Sequence, residues 1–164
     1  MAASTVIKNL NDGTITVADG TGSPVTLAVP FSTGDLAISS LSETQNEVAK
    51  YETRGTFNTA RHTTRTYPSG SFSFQIADYA DGTDGTLIDF VRKANSYSAN
   101  VSTLGTNADV YAIDITLTVE GTDHGDAADH TMVMTDCVCT MDLSEGDPNT
   151  GTISFECLGT VTFT

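Results

Sequence analysis

The 164 residues include no tryptophan, and only seven lysines and arginines against twenty-one aspartates and glutamates. The resulting formal charge of −14 argues against a nucleic-acid-binding surface, because that affinity comes mainly from Lys and Arg displacing counterions condensed on phosphates. The lack of tryptophan weighs against a carbohydrate module, whose sites often stack a sugar on an aromatic face. No apolar run approaches the length of a membrane span. Met1 to Leu10 also lacks the basic start and apolar core of a secretory leader. A soluble chain without membrane partners is therefore expected. Cysteine is scarce: Cys137, Cys139 and Cys157 form an odd set without paired C-x-x-C spacing. All three fall in the apolar phase of their segments, so they read as small buried hydrophobes in a reducing compartment.

What the sequence does contain is Thr, Ser and Gly interleaved with apolar residues, the mixture of strands with solvated Thr/Ser faces. At 38% apolar content the length suits one domain, residues 1–164, with a core of its own. The clearest pattern closes the chain: Ile153, Phe155, Cys157, Val161 and Phe163 alternate with Thr or other polar and small residues, as a half-buried strand requires. Its antiparallel partner runs back over Val133 to Leu143 across the turn Ser144 to Gly151. In that partner the apolar phase changes near Thr135-Asp136, which predicts a β-bulge.

Earlier in the chain, Ile15 and Val17 alternate, as do Val25, Leu27 and Val29 across Asp19 to Ser23, giving a hairpin. Leu36 and Ile38 mark a short strand, Phe72, Phe74 and Ile76 another, and Tyr111 to Val119 the most regular interior strand. Leu87, Phe90, Val91 and Ala94 lie at helical spacing after Thr86, with Asp89 three residues on, predicting a capped helix over Leu87–Asn95. Arg92 and Lys93 suit its C-terminal end.

Ser39 to Pro68 is different. Val48, Tyr51 and Phe57 are isolated among Thr, Arg, Asn and Glu, so the stretch buries little surface of its own and reads as a long polar loop or extended hairpin. It also holds Lys50, Arg54, Arg61 and Arg65, whereas from Thr66 onward fifteen acids face two bases. These four cations are the candidate contacts to acidic residues of another copy. The fold class is therefore mainly β: two packed antiparallel sheets, sandwich- or barrel-like, with one short flanking helix and this long excursion.

Candidate chemistry is sparse. Gly20-x-Gly22 is followed by Pro24 and a strand where a phosphate loop needs a helix. Asp78 to Gly85 lacks the carboxylate spacing and terminal Glu of an EF-hand calcium loop. Asp123, His124, Asp126, Asp129 and His130 are metal-ligand types in an acidic hairpin loop, with no helix to set their spacing. His62, His124 and His130 stand in loop-like segments, and neither a G-x-S-x-G elbow nor a Cys–His pairing is indicated. The reading is a non-enzyme with no cofactor and no resident metal.

The order of elements carries a resemblance. A starting hairpin, a long polar excursion after the third strand, one mid-chain helix, and a final hairpin with Ser144-Glu145-Gly146-Asp147-Pro148-Asn149-Thr150 before Ile153-Ser154-Phe155-Glu156-Cys157 resemble the major tail tube proteins of long-tailed bacteriophages. The resemblance implies packed β-sheets flanked by a helix, self-assembly into stacked hexameric rings, and a virion tail tube made in the host cytoplasm. It also implies tape-measure and terminator proteins as partners. DNA would pass an acidic lumen without specific binding. The long excursion would span neighbouring subunits, with Lys50, Arg54, Arg61 and Arg65 meeting acids such as Glu145 and Asp147. A terminator, head-tail joining or decoration protein is the nearest alternative, and a calcium- or carbohydrate-binding β module a more distant one.

Overall fold

The computed structural model describes residues 13–41, 46–79, 85–122 and 125–164. Its strands are β1 (Gly13–Ala18), β2 (Thr26–Ala28), β3 (Ala37–Ser39), β4 (Glu47–Thr53), β5 (Thr56–Thr64), β6 (Ser69–Gln75), β7 (Ala112–Val119), β8 (His130–Ser144), β9 (Thr150–Cys157) and β10 (Val161–Phe163). One helix, α1 (Leu87–Arg92), and a 3₁₀ turn at Asn95–Tyr97 lie between β6 and β7. The mainly β architecture with one short helix is as the alternation predicts. Eight strands form one antiparallel sheet in the order β2-β1-β7-β8-β9-β6-β3, with β10 also on β8, while β4 and β5 form a separate two-stranded ribbon.

The two packed layers expected from sequence come from one hydrogen-bonded path that closes on itself. Past β2, Val29 donates to the Ile15 carbonyl at one end of the sheet (2.8 Å). Shortly after, Ser32 bridges Phe74 and Thr33 donates to the Ser73 carbonyl (3.0 Å) on β6, near the other end. The enclosed core draws on nearly every strand: Ile15 and Val17, Phe72 and Phe74, Ile113 to Val119, Met134 and Cys137, Ile153, Phe155 and Cys157, with Leu87 and Phe90 from α1. Each such side chain stabilises the fold by about 1.5–3 kcal/mol through its removal from water. On β6 and β9 two phenylalanines lie across opposing glycines, Phe155 over Gly70 and Phe74 over Gly151. A Cβ at Gly151 would stand 2.4 Å from the Phe74 ring, so glycine here makes the space that the ring fills.

The bulge lies where the change of phase put it. Ile113 pairs Cys137 and Ile115 pairs Met134, so Thr135 and Asp136 together oppose Asp114, and Asp136 takes φ 57°. The Asp136 amide donates to Asp114 Oδ1 (3.0 Å). Burial pushes the Asp114 carboxyl above its usual range; the Asp136 amide opposes the rise and the Asp136 charge adds to it.

Two expectations change. The helix ends at Arg92, not near Asn95, because Lys93 turns left-handed (φ 53°) and the Lys93 and Ala94 amides cap the carbonyls of Phe90 and Asp89. Its start is as read: the Asp89 amide donates to Thr86 Oγ1 (3.1 Å). The closing strand is not one strand. It breaks at Leu158–Thr160, where the Leu158 and Gly159 amides donate to Asp136 and Thr135, and β10 then pairs the first half of β8. Phe163 consequently leaves the core and is 65% exposed.

The stretch after α1 is anchored to the end of β1. Asp19, buried at the end of β1, accepts from the amides of Val25 (2.7 Å) and Val101 (3.1 Å) and from Thr21 Oγ1 (2.9 Å). Gly20 allows this approach, since a Cβ there would lie 2.3 Å from the Ser102 carbonyl oxygen. Among the described residues no helix is long and apolar enough to cross a membrane.

Candidate assembly surfaces

The Ser39–Pro68 excursion is an extended hairpin. Its strands join through Arg54-Gly55, both at positive φ (52° and 79°), the two-residue turn whose twist suits a ribbon. Register shifts beside Val48 and Glu52 add local twist. Every residue of β5 is exposed, and only Ala49 of β4 is partly covered. At about 3.4 Å per residue the seven residues of β4 extend roughly 20 Å.

Antiparallel pairing sorts the side chains into two faces. Val48–His62, Lys50–Ala60 and Glu52–Phe57 share one, and Ala49–Arg61 and Tyr51–Thr59 the other. On the second, the Arg61 guanidinium lies over the Tyr51 ring, 5.2 Å from its centroid. Near the root, Arg65 lies over Tyr67 (4.9 Å) and donates to the Gly159 carbonyl (3.4 Å), so it helps tie the ribbon to the corner where β9 ends. Phe57, beside the tip, is 62% exposed. A lone aromatic so placed stabilises nothing in the isolated chain, yet it suits a pocket on a partner.

Glu145 and Asp147 lie in the exposed β8–β9 turn, where the Gly146 amide donates to Asn149 Oδ1 (2.9 Å). This turn leads into Thr150, which pairs Gln75, whereas the ribbon returns to the body at Ser69, which pairs Glu156. The turn and the ribbon root are thus at opposite ends of the β6–β9 pair, about 20 Å apart. Among the described residues no ion pair links Lys50, Arg54, Arg61 or Arg65 to Glu145 or Asp147. The structure gathers the four cations on one arm and the two acids on one turn, and keeps the groups apart.

A third feature was not read from sequence. Ile15, Leu36, Ile38, Leu117, Met132 and Phe163 line an apolar groove of about 310 Å³ beside β3. The surface continues past Phe163 to Val119 and His130. The turn cluster Leu158-Gly159-Thr160 was the available sequence signal, since it separates Phe163 from the alternation of β9.

The acidic hairpin loop places His130 Nε2 2.9 Å from Asp126 Oδ2. Asp129 serves the loop itself: amides of Gly121 and Thr122 hold its carboxyl below the usual range. Asp123 and His124 lie outside the described residues, as do residues 80–84 of the Asp78–Gly85 stretch. Among the described residues no group of three or more His, Cys, Asp or Glu converges on a common point.

No protein-family model matches the chain, and no curated protein matches it. Solved structures share its fold from end to end. A chain of the PVC extracellular contractile injection system, in the sheath/tube terminator in its extended state, superposes with a TM-score of 0.56 at 13% identity, covering 100% of this chain and 98% of that one. A chain of the PVC sheath-tube complex in the extended state gives 0.57 at 11% identity, with 99% of each chain covered. A chain of the anti-feeding prophage tube-terminating cap gives 0.56 at 10% identity, covering 100% of this chain and 95% of that one. At such identities the likeness establishes the fold.

Proposed function

We propose that this chain is a structural tail protein of the tube type: copies join edge to edge into a ring of six, and rings stack into a tail tube within a virion. The observation that carries this reading is the β4–β5 ribbon, an ordered arm without a buried residue, on a fold shared over its whole length with chains of injection-system tube and terminator assemblies. An arm with no core contribution gains little from its own burial, whereas a neighbouring copy can cover its apolar and cationic groups. Among the described residues β2, β3 and β10 each pair with a single strand, which suits extension of the sheet from subunit to subunit.

Charge distribution supports the same arrangement. Glu47 to Arg65 carries four cations and two acids, leaving three cations and nineteen acids elsewhere in the chain. Because arm and acidic turn lie at opposite ends of β6–β9, a head-to-tail contact brings one copy's Lys50 and Arg54 toward the next copy's Glu145 and Asp147. The surplus acid lines a lumen through which DNA slides without adhering, repelled along its phosphates. Tape-measure and terminator proteins complete the set of partners. The chain acts by assembly and not by catalysis.

A terminator, which closes a tube with a single ring, is the second reading. It is favoured by the sheath/tube terminator and tube-terminating cap among the structures of like fold. Negative-stain electron microscopy of the purified protein, with size-exclusion chromatography across a concentration series, separates the two. Hollow tubes are the expected result. Single rings that never stack would favour the terminator, and a monomer at every concentration would count against both.

A further inference from the structure

Cys137 on β8 and Cys157 on β9 are direct cross-strand partners, and both are fully buried. The Cys157 amide donates to the Pro68 carbonyl on the opposite flank (2.7 Å). The two cysteines therefore face each other at a non-hydrogen-bonded position, where opposed Cα atoms lie about 4.5 Å apart and side chains approach most closely. A disulfide spans Cα separations of about 4.4–6.8 Å. Each thiol donates to a backbone carbonyl of the same corner, Cys137 Sγ to Met134 (3.6 Å) and Cys157 Sγ to Thr135 (3.1 Å) and Thr160 (3.6 Å). Cys139 is placed differently: it opposes Phe155, and its Sγ donates to the Cys137 carbonyl (3.7 Å).

We propose that Cys137 and Cys157 are a disulfide-forming dithiol, closed by a small-molecule disulfide, that staples β8 to β9 at the corner where β8 exchanges β9 for β10. All three cysteines are free in the reduced chain. Their surroundings make the two thiols unequal: the facing Cys157 thiol and burial push Cys137 up, whereas the facing Cys137 thiol and the Gly159 and Thr135 backbone hold Cys157 below its usual range against the opposing effect of burial. Cys157 is thus the better nucleophile of the pair.

In the first step the Cys157 thiolate attacks one sulfur of the oxidant, forming a mixed disulfide and expelling one thiolate. Cys137 then attacks the Cys157 sulfur, and the second half of the oxidant leaves. The dithiol loses two electrons and two protons, and the oxidant becomes two thiols. Cys157 is the last residue of β9, so local opening of the Leu158–Thr160 turn admits the oxidant without unfolding the sheet. The staple then fixes the corner from which β10 and Phe163 depart, independently of whether the chain builds tubes.

The test is oxidation of the full chain with glutathione disulfide, beside a dithiothreitol-treated control, followed by denaturing alkylation and intact-mass and peptide mapping. The reduced control should take up three alkyl groups. The oxidised chain should take up one, with Cys137 and Cys157 joined and Cys139 carrying the label. Its thermal midpoint should rise by about 5 °C or more, since the bond closes a long loop of the unfolded chain. Three alkylatable thiols after oxidation, a persistent glutathione adduct, a bond involving Cys139, or a midpoint that stays or falls would each overturn the proposal. Cys139→Ser should leave the bond intact, and mapping of the unaltered chain decides the matter whatever the variant's folding.

Discussion

Asp19 ties the end of β1 to Val25 and to the distant Val101. Burial alone would raise its carboxyl, but donation from Val101, Val25 and Thr21 outweighs burial and holds it below the usual range. A folded-state value below the unfolded one means that its contribution is present above the ordinary carboxylate pKa. That contribution is lost as pH falls through the depressed value. Asp19→Ala leaves the Val25 and Val101 amides without their partner and should cost about 1–3 kcal/mol at neutral pH. The deficit against the unaltered chain should shrink in thermal melts taken below pH 4; a deficit independent of pH would show that the carboxylate is not what holds the loop. Asp114 runs the other way: its raised carboxyl favours the fold at low pH, and this contribution is lost as pH climbs through the raised value.

Among the elements, the ribbon and the body separate cleanly in their energetics. The body's central strands β1, β6, β7, β8 and β9 supply the buried core, whereas the ribbon buries no side chain. Replacing residues 47–64 by a short Gly/Ser linker should therefore leave a cooperatively folding body, its midpoint within a few degrees of the parent, that forms no tubes. Loss of the fold would show that the ribbon belongs to the core. A narrower change, Phe57→Ser, should keep the monomer's stability within about 0.5 kcal/mol and raise the concentration needed for assembly by tenfold or more, measured by light scattering. Unchanged assembly would remove Phe57 from the interface.

At the scale of the whole molecule the dominant fact is charge. A body with nineteen acids repels its own copies unless the four cations of the arm are placed between them. Lys50→Glu with Arg54→Glu should leave the melting midpoint in place and abolish or strongly weaken assembly. Raising salt toward 1 M, where the screening length falls to about 3 Å, should weaken assembly of the parent in the same direction. Assembly indifferent to both would mean that apolar contacts alone join the copies. Arg61 and Arg65 are less suitable for this test, because each also stacks on a tyrosine of its own chain.

Much of this was legible in the residues because strand alternation and helix capping are local. Ile113 to Val119, Phe72 to Phe74 and Ile153 to Cys157 declare their buried faces by spacing alone, Thr86 and Asp89 declare a helix start, and the change of phase at Thr135-Asp136 declares a bulge. The excursion was likewise visible as an arm without a core. The tertiary structure alone decided that the layers are one closing sheet, that β10 returns to β8 and exposes Phe163, that Cys137 faces Cys157, and that the arm's cations and the acids of the β8–β9 turn stand at opposite ends. These are matters of which strand pairs with which and in what register. Pairing is settled by contacts between residues far apart in the chain, and spacing along one strand carries no record of its neighbours.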